Sequence, residues 1–365
     1  MKTQALERQA STIDSNNSKK LTLVNLLMTF AIVIYHWKNF YMLNVVSPAN
    51  ETVGRITFDI FDVFGAVALR FFFFVSGFLL YLGLSDGASL KKKLKKRLYS
   101  LVIPFLVWNF LVLVWNFAYT LLTTRGFPDY RPVDYLLGFT LDCFCGPLWY
   151  ILALIILLPL SVLLFKTKER RWLTTAVLAT LTVTAFVVSY LLGGREDVVA
   201  SWFSRFFTFV PVYCLGAWCG LYLPRAVFFT RMSKTACACA AVGLTAACLV
   251  LSLGAFELTA VKRICWLAIP TALWILISPS WLARLNITYP LKISFFVYAM
   301  HATLIGLLNT VLARVVGLNA LSVIATLLVH TLLFVILYAI CLGFAFACKK
   351  ILPQKIYSVL SGGRA

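Results

Sequence analysis

Apolar runs of the length that crosses a bilayer, about 20 residues, recur along this chain and are separated by short polar breaks. Reading runs against breaks predicts ten helices, at approximately 21–44, 58–84, 98–122, 147–165, 172–193, 204–222, 235–254, 263–280, 290–312 and 319–348. The first and last are long enough to tilt or to extend past the membrane. No internal repeat and no second domain interrupts the pattern, so residues 1–365 are read as one domain. It carries a polar N-terminal stretch over 1–20 and a basic tail over 349–365. The expected fold class is all-α and polytopic.

Composition agrees with that pattern. The chain is 61% hydrophobic and only 13% charged, with 15% aromatic residues that suit helix packing and interfacial belts. The formal net charge of +20 invites a nucleic-acid reading. The basic residues, however, lie in short clusters between apolar runs rather than on one amphipathic surface, so no nucleic-acid partner is expected and lipid is. Lys19–Lys20, the Lys91–Arg97 cluster, Lys166–Arg171, Arg225–Lys234, Arg284 with Lys292, and Lys349 onward all fall on one side if ten helices are counted. The positive-inside rule then puts both termini in the cytoplasm. The other side receives 45–57, 123–146, 194–203, 255–262 and 313–318. Of these, 123–146 is long, aromatic and mixed in charge, the kind of connection that carries binding function. Asn50-Glu51-Thr52 reads as a surface-loop signal.

The first 20 residues lack the pattern of a cleaved signal peptide, so the first helix is expected to remain as an anchor. Most of the ten cysteines lie in or beside apolar runs and read as small hydrophobes. Cys143 and Cys145 are too close in sequence for good mutual disulfide geometry. No cysteine–histidine spacing suggests a metal, and none is expected.

Candidate chemistry begins with His36, an ionisable group inside an apolar helix and about 22 Å from its cytoplasmic end at ~1.5 Å per residue. Downstream come Phe72-Phe73-Phe74-Val75-Ser76-Gly77-Phe78-Leu79-Leu80, then Lys96-Arg97 before Pro104, then Pro147-Leu148-Trp149-Tyr150, and late in the chain Tyr298-Ala299-Met300-His301. This series resembles the acyltransferase 3 family, multispanning enzymes that acylate bacterial surface sugars and related acceptors. The likeness covers most of the chain; it rests on the order of five motifs, none specific alone.

The resemblance implies a membrane O-acyltransferase in the bacterial cytoplasmic (inner) membrane. It would move an acyl group, most simply acetyl from acetyl-CoA, to a hydroxyl of a surface glycan or lipid-linked sugar. Acyl-CoA is then a co-substrate, and no cofactor is held permanently. His36 becomes the general base, since a neutral imidazole takes a hydroxyl proton; its alternative is a histidine that ties neighbouring helices. The family usually has an arginine eleven residues earlier. Here that position is Asn25, which donates hydrogen bonds but carries no charge for a phosphate.

The resemblance makes Arg97, beside Lys96, the contact for acyl-CoA phosphates, through the forked donors of a guanidinium. Typical members carry a further arginine where this chain has Ser100. Around the acceptor it places Trp149, whose alternative is an interfacial belt residue, and Tyr298 with His301, which line the His36 cavity or tie helices. Many relatives have a glutamate five residues after the tryptophan, and here that position is Leu154. Arg70, mid-helix, is read either as paired with Asp59 or Asp62 or as an anion site. Ser76 with Gly77 reads as helix packing before it reads as a nucleophile. His330 matches no motif and reads as structural. The competing function is a transporter or flippase for a glycan or its precursor, although transporters commonly betray inverted repeats.

Overall fold

The structure is a computed structural model that describes residues 15–44, 48–223, 267–277, 293–315 and 323–363, with single positions between 235 and 246. It is all-helical, with no strand among the described residues. The helices are α1 (Ser15–Asn44), α2 (Pro48–Tyr81), α3 (Gly87–Arg97), α4 (Ile103–Thr124), α5 (Pro132–Gly138), α6 (Trp149–Ile156), α7 (Leu160–Thr167), α8 (Arg171–Leu191), α9 (Val198–Tyr222), α10 (Ala268–Leu276), α11 (Ser294–Val315), α12 (Val323–Ile351) and α13 (Gln354–Leu360). Seven helical stretches among the described residues are long and apolar enough to cross a membrane. The expected span 235–254 lies almost wholly outside the described residues. Parts of 263–280 and 290–312 do as well, while α10 and α11 occupy what remains.

Several boundaries differ from those read in the sequence. The third span was expected to open at 98, yet the helix starts at Gly87. Asp86 accepts from the Ser89 N–H at 2.7 Å and Ser89 Oγ faces the Asp86 N–H at 3.2 Å, a capping box that starts a helix through the lysine run. Lysine is a good helix former, so polarity ends the membrane segment and not the helix. A π-helical turn, Leu98–Val102, joins α3 to α4 just before Pro104. The ring of Pro104 removes a hydrogen-bond donor there.

The span over 147–165 is one apolar run but two helices, α6 and α7, because Pro159 breaks the ladder between them. Helix α2 starts at Pro48, so Asn50-Glu51-Thr52 is helical rather than part of a loop. Helix α9 starts six residues before the expected 204, capped by Asp197, which accepts from the Ala200 N–H at 2.7 Å.

By contact the chain divides into two compact units, each assembled from separated segments. The first holds the start of α1, the chain from Val67 to Leu98, and the chain from Ala153 onward through α7–α10. Its centre is a close crossing of α2 and α9. A Cβ added at Gly77 would lie 2.4 Å from the Tyr213 carbonyl oxygen, one at Gly216 2.1 Å from that of Phe74, and one at Gly220 2.5 Å from that of Phe78. Only glycine lets the two backbones meet this closely. Phe73 stacks on Phe209 at 5.0 Å beside the crossing. Helix α8 lies along α9, with Ser189, Ser204 and Thr208 exchanging hydrogen bonds across the pair.

Two lysines finish α2. Lys93 donates to the carbonyls of Leu80, at 3.0 Å, and Leu82, while Lys168 donates to those of Leu84, at 3.0 Å, and Ser85. Both ammonium groups therefore sit where a helix leaves its carbonyls unpaired.

The second unit holds the rest of α1, the start of α2, the chain from Tyr99 to Leu152, and the chain from Ile287 onward through α11–α13. Val33, Trp37, Val297, Ile305, Leu337 and Cys341 form its core, drawn from α1, α11 and α12. The ring of Tyr35 lies over Gly65, where a Cβ would come within 2.3 Å of it. The connection 125–146 is compact. Tyr130, Tyr135, Phe139 and Phe144 meet edge to face, and Gly138 leaves room for the Phe144 ring. Within it, the Arg131 guanidinium bridges to Asp134 at 3.1 Å and holds that exposed carboxyl below the usual carboxylate range.

Candidate active site

In the second unit, α1 and α11 bring His36 and His301 together. Their ring centroids are 4.9 Å apart and the rings are tilted by 52°. His36 is half-buried and has Tyr35 edge-on at 5.0 Å. His301 is fully buried. Its Nδ1 lies 3.3 Å from the Val297 carbonyl oxygen one turn earlier, and its Nε2 has no hydrogen-bond partner among the described residues. Since a carbonyl only accepts, Nδ1 carries the proton in that contact, which leaves Nε2 as an acceptor. A buried nitrogen without a partner is costly in a core built for packing alone.

Tyr298 lies one turn before His301, and its hydroxyl donates to the Pro147 carbonyl. The ring meets Tyr150 edge-on at 6.4 Å and His301 at 6.1 Å. Tyr298 thus fastens the start of α6 to α11 beside the histidines. Trp149 is 8% exposed and packs in the same unit. His330 is buried on α12, with the Trp37 indole edge-on at 6.2 Å.

A cavity of about 380 Å³ opens in this unit between α4, α11 and the segment Phe144–Gly146. Trp115, Asn116, Tyr119, Phe144 and Thr303 are among its walls. Neither His36, His301 nor Trp149 lines it. At about 100° per residue, Ala302, Thr303 and Gly306 turn away from the His301 face of α11. Asn109 holds the cavity's floor in place. It is fully buried, donates to the Phe105 carbonyl at 2.8 Å, and accepts from the Cys145 N–H at 3.0 Å. The Cys145 thiol in turn donates to the Ala299 carbonyl at 3.3 Å.

Phe144, Cys145 and Gly146 fall in the connection 123–146 read from sequence as able to carry binding function, whereas the cavity residues of α4 and α11 were not singled out. A signal existed: Trp108-Asn109-Phe110 and Trp115-Asn116-Phe117 repeat one heptad apart, setting two amides on one face of an otherwise apolar helix.

The remaining expected site residues belong to the first unit. Arg70, 6% exposed, lies with its guanidinium 5.3 Å from the Phe209 ring centroid, so an aromatic face accompanies the charge on that side. The expected partner Asp59 has its side chain outside the described ones, and Asp62 is counted with the second unit. Arg97 is half-buried, with Nη2 3.5 Å from the Ser76 carbonyl oxygen, while Lys96 beside it is exposed. Ser76 and Asn25 are half-buried. Gly77 fills the packing role read for the Ser76-Gly77 pair.

No curated protein and no solved structure matches the chain. Residues 20–348, nearly its whole length, match the family model Acyl_transf_3, described as an acyltransferase domain. The chain therefore belongs to that family and is a multi-pass membrane acyltransferase.

Proposed function

We propose that the protein transfers an acyl group, acetyl in the first instance, from cytoplasmic acyl-CoA to a hydroxyl of a surface glycan or lipid-linked sugar, with His36 as general base. The observation that carries this reading is the histidine pair: a half-buried imidazole in van der Waals reach of a buried one whose Nε2 has no hydrogen-bond partner among the described residues. In the reaction, neutral His36 accepts the proton of the acceptor hydroxyl as its oxygen attacks the thioester carbonyl. The carbon–sulfur bond then breaks, and the imidazolium returns its proton to the departing CoA thiolate. Protons balance, and neither metal nor redox partner enters. Arg97 and Lys96 take the phosphates of the donor. In this reading the membrane is the bacterial inner membrane and both termini are cytoplasmic, an orientation that the clustering of basic residues supports.

Two His36 variants test the assignment. His36→Ala and His36→Gln are each expected to insert normally and to lose acyl transfer by ~100-fold or more, because glutamine hydrogen-bonds but cannot take the proton. Full activity in a well-folded His36→Gln protein, measured as CoA release with an acceptor glycan present, removes His36 from the chemistry.

A further inference from the structure

We infer that the cavity between α4, α11 and Phe144–Gly146 binds a neutral sugar ring. The inference rests on the glycan-acceptor reading above. The cavity is a subsite for a unit of the acceptor chain other than the one whose hydroxyl reacts.

The chemistry of its walls selects the ligand. At about 380 Å³ it falls in the range typical of small-molecule sites, ~300–1,000 Å³. Among the described residues no lysine, arginine, aspartate or glutamate lines it, so these walls offer no charge to the phosphates of CoA or to an anionic headgroup. It offers instead an aromatic shelf with neutral hydrogen-bonding groups. Trp115 and Tyr119, one turn apart on α4, present rings 6.5 Å apart and within 27° of parallel. Asn116 lies between them in sequence, with its amide nitrogen 3.3 Å from the Tyr130 hydroxyl. Thr303 adds a hydroxyl from α11. A pyranose has the complementary surface: an apolar face of C–H groups that lies on rings, and an edge of hydroxyls that both donate and accept.

Two glycines argue that the space is kept open. A Cβ at Gly146 or at Gly306 would meet no atom of the described residues within 4 Å, and neither residue has the positive φ that demands glycine. The crowded Gly77, Gly216 and Gly220 permit a close helix crossing; Gly146 and Gly306, like Gly343 on α12, face open space, and these two do so at the cavity. In the middle of α11 glycine disfavours the helix. What Gly306 supplies is the missing volume of a side chain beside the cavity.

Location fits the source of the ligand. The cavity adjoins the end of α4 that leads into 125–146, the connection assigned to the outer side, where a surface glycan is found. It lies on the opposite face of α11 from His301, so its occupant is held apart from the histidine pair and positions the chain.

The test is binding, which needs no turnover. Full-length protein in lipid nanodiscs free of sugar detergents is titrated with the methyl glycosides of glucose, galactose, mannose and N-acetylglucosamine, and saturation-transfer NMR is recorded. At least one glycoside is expected to receive saturation from wild type and from Gly306→Ala. The signal should vanish in Gly306→Phe, which fills the cavity, and the affinity should fall at least ~10-fold in Trp115→Ala. If Gly306→Phe does not fold, Trp115→Ala and Thr303→Val decide. No transfer to any glycoside in wild type, or transfer unchanged in the folded cavity variants, overturns the inference. The same measurement on His36→Gln separates the two readings. Retained binding with lost acylation supports both, whereas retained binding with retained acylation removes His36 and leaves the subsite standing.

Discussion

At the residue scale, polar groups divide into those that hold the fold and those proposed to meet substrate. Asn109 holds the fold, because its carbonyl oxygen satisfies the buried Cys145 N–H. Asn109→Leu leaves that donor unpaired and should cost about 1–3 kcal/mol, read as a lower thermal midpoint in detergent, together with weaker glycoside binding as the 144–146 segment shifts. Arg97 is the residue proposed to meet the acyl donor. Its contact with the Ser76 carbonyl, 3.5 Å, is at the outer limit of a hydrogen bond. Arg97→Ala should therefore raise the apparent KM for acyl-CoA by ~10- to 100-fold, the worth of a lost charge-assisted contact to phosphate. Arg97→Lys should recover part of it. Kinetics equal to wild type would return Arg97 to the group of lysines that only finish helices or orient the chain.

At the scale of the elements, two kinds of punctuation shape the fold. Proline and capping groups set where helices stop: Pro159 splits α6 from α7, and Lys93 and Lys168 close the end of α2. Glycines set how closely helices approach. At the α2–α9 crossing no side-chain atom can be inserted without moving backbone, since a Cβ at Gly216 would overlap the Phe74 carbonyl. Gly216→Ala should destabilise the protein by about 1–3 kcal/mol, the typical cost of overpacking. Gly306→Ala should leave the thermal midpoint equal or higher, because its Cβ enters open space and alanine favours the helix. Thermal unfolding of the two variants side by side checks both. Equal effects would mean that the close crossing does not bear on stability.

For the molecule as a whole, the prediction concerns sidedness. The expected ten-helix count would collect the basic clusters on one face and put the compact aromatic connection 125–146, with the cavity next to it, on the other. Asp129 is exposed in that connection and away from the cavity walls. In a background without native thiols, Asp129→Cys should react with an impermeant maleimide added outside whole spheroplasts. Reaction only after the membrane is opened would invert the topology, and with it the side from which an acceptor reaches the cavity.

Hydrophobic patterning by itself determined that the chain is helical and crosses a membrane several times, because a bilayer imposes a length and a polarity that any reader of the residues can measure. The order of short motifs carried the family, and the isolated polarity of His36 marked the position where chemistry was expected. Patterning left open where helices end within a polar stretch, since lysine continues a helix as readily as leucine, and so α3 went unseen. It left open as well which polar residues meet. His301 follows His36 by 265 positions, and only the packing of α1 against α11 sets their rings 4.9 Å apart. Asn109, Trp115 and Thr303 gain meaning only from the loop and helix that fold onto them. The physical reason is the same throughout: burial against lipid is a property of each segment, readable locally, whereas a site is a set of distances between segments that tertiary packing alone decides.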